Sequence, residues 1–276
     1  SPNIDLVVTK LFTMLDREHQ SSARGKLGAL WTLGQLGRID ELAATGLFDH
    51  DQASIRLWAI RLIGQLPRLE SSTAAKLATI AGTEPDEEVR SQLAATARKL
   101  SASQAFPIIH SLIMHPSAAS DNRLPLMLWW AIETQITADT DAAVRWWTSD
   151  SSRWDVPVVR NELAERMMRR FAASGTRRDL LVCATLLRAA PDKEAGEILL
   201  RGFEAAYRGR SLASLPDELV DAMAASGGGS LPLKVRRGDA TAIQEVLTVV
   251  ADRKQKLELR GEYIQMLGDV RPDAAS

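Results

Sequence analysis

The sequence predicts an all-α protein, an α-solenoid of paired helices stacked side by side, and three observations predict it. One phrase recurs four times: a small or apolar residue, then a basic one, then apolar or small residues at i+4, i+8 and i+11. Apolar residues elsewhere follow helical spacing, and the period-two runs that mark strands are not found. The breaks between periodic stretches carry helix punctuation: proline-aspartate steps, capping residues and terminal glycines.

The first predicted helix covers Ile4 to Asp16, with Ile4, Val7, Val8, Leu11, Phe12 and Leu15 on one face. After a polar break at Glu18–Ser22 comes the first phrase, Gly25-Lys26-Ala29-Leu33-Leu36. The second is Ile55-Arg56-Ala59-Ile63-Leu66 and the third Val89-Arg90-Leu93-Ala97-Leu100. The apolar positions of each phrase fall in a narrow helical stripe, so each is expected to be the second helix of a pair with its stripe in the core. The segment from Gly34 to Asp40 matches that from Gly64 to Glu70 position by position, a spacing of about thirty residues, as in arrays of helix pairs. Asp51 and Asp86 are expected to cap the second and third phrase helices. Gly34, Gly64 and Gly268, at i+9, are expected to permit close approach or to mark helix ends.

The centre departs from this pattern. His115 to Arg123 reads as a loop, and Leu124-Pro125 opens a helix, proline being tolerated in a first turn. That helix is apolar on most sides, which predicts a central, buried position. Neighbouring residues on a helix point about 100° apart, so one member of each pair Trp129-Trp130 and Trp146-Trp147 is expected to be the less buried. Val156 to Tyr207 reads as three helices, broken near Ser174-Gly175-Thr176 and Ala190-Pro191-Asp192. Ser226 to Ser230 reads as a flexible connector. Asp239–Ala251 and Arg253–Val270 rebuild a pair, with the fourth phrase, Leu259-Arg260-Tyr263-Leu267-Val270, in the last helix. The expectation is one domain over 1–276, regular over about 4–100 and 239–270 and irregular over about 105–225, excised from a larger protein.

Composition narrows the function classes. Hydrophobic residues make up 45% and charged residues 25%, the balance of a folded globular chain. The formal net charge of −1 argues against a surface built to neutralise many phosphates, though not against a local basic groove. No run approaches the ~18 apolar residues of a membrane span. Cys183, the single cysteine, sits in an apolar run and reads as a small core residue. His110 and His115 lie about 140° apart on a helix and do not face one metal. No paired-cysteine, His-Glu-x-x-His, Gly-Lys-Ser/Thr or Gly-x-Ser-x-Gly signature occurs, so no catalytic residue, cofactor or metal is expected.

Arg56, Arg90 and Arg260 each follow a core position. They are expected to form a ladder, bonding carboxylates or helix-end carbonyls of neighbouring repeats. The candidate interaction residues are Trp129, Trp130, Trp146 and Trp147, with Arg169, Arg170, Arg177 and Arg178, because tryptophan and arginine anchor interfaces. The competing readings are core for the tryptophans and solvated helix faces for the arginines.

The sequence Asp86-Glu87-Glu88-Val89-Arg90, the stretch from Asp51 through Ile55-Arg56 to Gly64, and the ending Leu267-Gly268 resemble HEAT repeats. A narrower resemblance rests on Ile55 to Leu62, on the run Leu124-Pro125-Leu126-Met127-Leu128-Trp129-Trp130 and on Gly238-Asp239-Ala240. It is to the helical middle region of large planctomycete and verrucomicrobial proteins. In that family a β-propeller resembling sugar dehydrogenases precedes the region and a cytochrome c-type domain follows it. The resemblance implies a connecting or docking domain of an exported electron-transfer protein, extracytoplasmic, whose partners are proteins or neighbouring domains. It carries no redox residue onto this chain, which lacks Cys-x-x-Cys-His. The alternative is a HEAT-like DNA glycosylase with DNA in a concave groove, which the tryptophans and arginine clusters suggest and the net charge opposes.

Overall fold

A computed structural model describes residues 2–208, 210, 212, 215–227, 231–236 and 238–268. The described residues form helices and their connections, with no strand among them. The chain divides into two compact units, Ser1–Trp146 and Trp147–Ser276, a division that the reading of one repeat domain does not draw.

The first unit contains α1 (Pro2–Leu15), α2 (Ala23–Gln35), α3 (Glu41–Thr45), α4 (Ala53–Ile63), α5 (Ser71–Ala81), α6 (Glu87–Ala97), α7 (Ala102–Met114) and α8 (Leu124–Ala138); α9 (Thr140–Thr148) carries the boundary. The three phrases lie in α2, α4 and α6. These helices pack in order, α2 on α4, α4 on α6 and α6 on α8, and so make one layer. Behind it α1 packs on α2 and α3 on α4, while α5 and α7 pack on each other and on α6. The stripe residues Ala29, Leu33, Ile55, Ala59, Ile63, Val89, Leu93 and Ala97 are all buried. Each aliphatic side chain so removed from water contributes roughly 1.5–3 kcal/mol. The fourth stripe position lies past the helix end and is more open: Leu36 is exposed, and Leu66 and Leu100 are half-buried.

Two of the i+9 glycines sit where the layer is tightest. A Cβ on Gly34 would lie 3.0 Å from the Leu62 side chain, and one on Gly64 would lie 3.0 Å from that of Thr96. Thr96 uses its place there to donate from Oγ1 to the Ile60 carbonyl at 3.2 Å. Gly268 has open space around it and serves no such approach.

Two expectations need correction. Asp86 is the N-cap of α6, accepting from the amides of Glu88 and Val89. Asp51 does not cap α4: the N-cap is Gln52, whose side chain makes no capping bond. A capping oxygen must stand at the last non-helical residue to reach the free amides, and Asp51 stands one residue too early. Its carboxylate instead lies exposed, 3.9 Å from Arg17. The second correction concerns α8, which is not buried all round: Leu126 and Trp130 are each 40% exposed.

The second unit begins with a 3-10 turn, Ser151–Asp155, and a π-helical turn, Val159–Leu163, that runs into α10 (Ala164–Ser174). Then come α11 (Arg177–Arg188), α12 (Lys193–Tyr207), α13 (Asp217–Ala225), α14 (Leu231–Arg236), α15 (Ala240–Ala251) and α16 (Leu257–Gly268). The breaks fall at the expected punctuation. Gly175 ends α10 at φ 66°, a left-handed conformation that suits glycine, and Asp192 caps α12 by accepting from the Ala195 amide. The most extensive helix pairing is α10 with α12, while α11 packs against α10 and α13. A small cluster of Val235, Ala242 and Val246 joins α14 to α16. There the fourth phrase has Leu259, Tyr263 and Leu267 only half-buried. Its last position, Val270, lies outside the described residues, as do Gly228 to Ser230 of the connector.

Cys183 is fully buried in α11, and burial pushes its thiol up to about 12. The thiolate is the nucleophile, so iodoacetamide is expected to leave native protein unmodified at pH 8 and to alkylate one thiol after unfolding in urea. Mass spectrometry reads both states, and labelling of the native chain would contradict this burial.

Candidate functional site

The basic residue of each phrase works inside the fold. Lys26 donates from Nζ to the carbonyls of Asp16 (2.5 Å) and Arg17 (3.1 Å). Arg56 bonds both oxygens of Glu84, Nε to Oε2 at 2.9 Å and Nη2 to Oε1 at 2.5 Å, and donates from Nη1 to the carbonyls of His50 and Asp51. Arg90 repeats the pattern: Nη1 donates to the carbonyls of Glu84 and Pro85, and Nη2 to Asp121 Oδ2 at 2.9 Å. Each arginine therefore ties the loop before its own helix to a carboxylate about one repeat further on. Bidentate geometry and partial desolvation make such pairs strong. Arg260 donates from Nε to the Val250 carbonyl at the end of α15.

The acidic partners do further work. Glu84 accepts the Asp86 amide at 3.0 Å, and Asp121 Oδ1 accepts the amides of Arg123 and Leu124 at the start of α8. Burial alone would raise the Asp121 carboxyl; those two amides and Arg90 outweigh it and hold the group below the ordinary carboxylate range.

His50, in the loop before α4, and His115, in the loop before α8, are both buried. Each ring Nδ1 accepts the backbone amide two residues on, from Gln52 at 3.0 Å and from Ser117 at 3.1 Å, which requires the neutral imidazole. Burial, then the cation beside each ring (Lys26 and Arg90 respectively), lowers both imidazoles below the ordinary 6.5; Asp51, Asp121 and Glu84 pull the other way without prevailing. A lowered folded value means that the unfolded chain binds protons first as pH falls. The stability these rings confer is complete above pH 6.5 and is lost as pH falls through the lowered values. A lower Tm at pH 5 than at pH 7.5 is expected by circular dichroism. His50→Asn/His115→Asn, which keeps an acceptor for the i+2 amide, should shrink the difference.

The solvent side of the α2–α4–α6–α8 layer carries the exposed aromatic residues of the first unit's phrase helices. Trp31 on α2 is 45% exposed and meets Trp58 of α4 edge-on, with ring centroids 5.2 Å apart. The Arg61 guanidinium lies over the Trp58 ring at 4.8 Å, and that of Arg98, just past α6, over the Trp130 ring of α8 at 5.8 Å. Arg61 and Arg98 are both exposed, and neither forms an ion pair among those described. Neither α2 nor α4 contains an acidic residue.

The residues singled out from sequence distribute differently. Trp129 is half-buried and Trp130 exposed; Trp146 is half-buried and Trp147 buried. Trp146 stacks on Phe106 with centroids 4.7 Å apart, and Trp147 meets Trp154 edge-on at 5.9 Å. Of these four, only Trp130 joins the exposed face. Arg169, Arg177 and Arg178 are exposed and Arg170 half-buried in the second unit; Arg177 lies 3.6 Å from Glu218. The sequence reading missed Trp31, Trp58, Arg61 and Arg98 as surface candidates. The signal was in the phrase: Trp31 and Arg61 both stand at i+6, which helical geometry turns about 200° from the centre of the buried stripe.

A cleft of about 390 Å³ in the second unit is lined by Arg160 and Arg201 with Asp155, Glu165 and Glu194. Arg160 is already committed, donating to the Trp154 carbonyl, to Asp192 at 2.6 Å and to Glu194 at 3.2 Å. Its hydrogen bond, with the Ala195 amide, draws the Asp192 carboxyl down to about 2. Arg160 is thus not free to meet a ligand in the cleft. No group of three potential metal ligands occurs among the described residues, and no described helix is long and apolar enough to cross a membrane.

No family model matches the chain, and no curated protein matches it.

Proposed function

We propose that the chain is a HEAT-like α-solenoid that acts as a protein-interaction or scaffold domain of a larger bacterial protein, binding through the solvent side of the α2–α4–α6–α8 layer. The observation that carries this reading is the concentration of half-exposed tryptophan and unpaired arginine there: Trp31, Trp58, Arg61, Arg98 and Trp130. Tryptophan and arginine dominate binding energy at protein interfaces. The successive packing of the phrase helices, with α1, α3, α5 and α7 behind, supports the solenoid arrangement, in which neighbouring repeats bury each other's stripes. Its partner is then a protein or a neighbouring domain of the parent chain, and the resemblance noted above, if it holds, implies a location outside the cytoplasm.

Panning a random peptide display library against the whole chain tests the reading, with hydrogen exchange to map each enriched peptide. Protection concentrated on α2, α4, α6 and α8 supports it. Failure to enrich any sequence, or protection confined to other surfaces, overturns it.

A further inference from the structure

We infer that this face takes a short acidic peptide in extended form, an inference that rests on the interaction reading above. Arg61 and Arg98 each sit over a tryptophan ring. A guanidinium held over an indole face keeps most of its five N–H donors free for other partners. Arg61 over Trp58 and Arg98 over Trp130, at 4.8 and 5.8 Å from the ring centroids, are therefore left with donors to spare. A carboxylate accepts from such a donor set in bidentate fashion, and pre-ordering of the side chain lowers the entropy lost on binding.

The charges around them agree. Lys99, next to Arg98, adds positive charge; α2 and α4 supply no carboxylate to compete, and Glu133, one turn past Trp130 on α8, is half-buried. Glu88 lies at the opposite end of α6 from Arg98 and is engaged by Arg123. On either side of the two arginines, the exposed parts of Trp31 on α2 and of Trp130 and Leu126 on α8 offer apolar contact. The matching ligand carries carboxylates at its centre and apolar side chains toward its ends. Packed helices lie roughly 8–10 Å apart, so the layer from α2 to α8 spans roughly 24–30 Å, about eight residues of extended chain.

A nucleic-acid strand fits less well. It brings one charge per nucleotide, whereas this face presents Arg61 and Arg98 as its ring-held cations, so few counterions would be released.

The test is a fluorescence-polarisation titration of the whole chain with three labelled probes. These are a decapeptide with glutamates at its centre and leucine and tryptophan toward its ends, the same peptide with lysine for glutamate, and a twelve-nucleotide oligo-dT. The expected result is salt-sensitive binding of the acidic peptide alone, weakened about tenfold or more by Arg61→Glu/Arg98→Glu. Both arginines are exposed, so the variant should keep its circular dichroism spectrum and Tm; Trp31→Ala provides a second, uncharged disruption that should also weaken binding. If the lysine peptide binds as well and Trp31→Ala weakens it, the acidic-ligand inference fails while the interaction reading stands. Tighter binding of oligo-dT overturns the peptide in favour of a phosphodiester. Acidic-peptide binding indifferent to both variants overturns the site, and binding of no probe counts against site and inference together.

Discussion

Gly202→Ala is expected to destabilise the protein by about 3 kcal/mol or more, at the upper end of what overpacking costs. A Cβ at this position of α12 would overlap the backbone carbonyl oxygen of Glu165 and stand 3.1 Å from its carbon and 3.2 Å from Met168 Cβ. The obstacle is main chain within α10, so no side-chain rotation relieves it; the most extensive helix pairing of the second unit has to open instead. Gly28→Ala is the control. That glycine lies inside α2 with nothing within 4 Å of its would-be Cβ, and alanine there should stabilise by up to about 1 kcal/mol. Urea titrations of both variants decide the matter. A loss below about 1 kcal/mol at position 202 would mean that α10 and α12 do not approach as closely as described.

Breaking the Arg90–Asp121 pair is the second large effect. The two side chains are 6% and 2% exposed and 2.9 Å apart. Arg90→Met leaves a buried carboxylate without its cation and frees the carbonyls of Glu84 and Pro85, for an expected cost of about 3–5 kcal/mol. Asp121→Asn should cost less, since an amide oxygen still accepts the two amides at the start of α8. The exposed pair Arg38–Asp5, 3.5 Å apart, provides the contrast: Arg38→Met should cost no more than about 1 kcal/mol. Equal denaturation midpoints for Arg90→Met and Arg38→Met would refute a ladder that holds the repeats together.

Much of this was readable from residue order. The helices at 4–16, 124–138 and 177–207 announce themselves by apolar spacing and by caps such as Asp86 and Asp192, because those signals act within one turn of chain. Asp51 misleads for the same local reason: its type suits a cap, and only the path of the loop at His50 puts it one residue out of place. The Leu124 helix misleads differently. Its apolar composition is real, but what covers a helix is set by its neighbours, and none covers Leu126 or Trp130 fully. The ladder was legible as arginines in need of partners; Glu84 and Asp121, 28 and 31 residues further on, were not named, since no periodic signal ties them to their arginines.

The sequence by itself determined the helices, the buried stripe of each phrase and the requirement that neighbouring helices cover it, because hydrophobic periodicity and backbone capping are properties of contiguous residues. Tertiary structure alone decided which carboxylate each arginine meets, that Gly202 must lie against the Glu165 carbonyl, that Trp31 meets Trp58 across α2 and α4, and that Arg98 meets Trp130 across α6 and α8. Those depend on the register between helices, and register is set by side chains interlocking across contacts far apart in the chain.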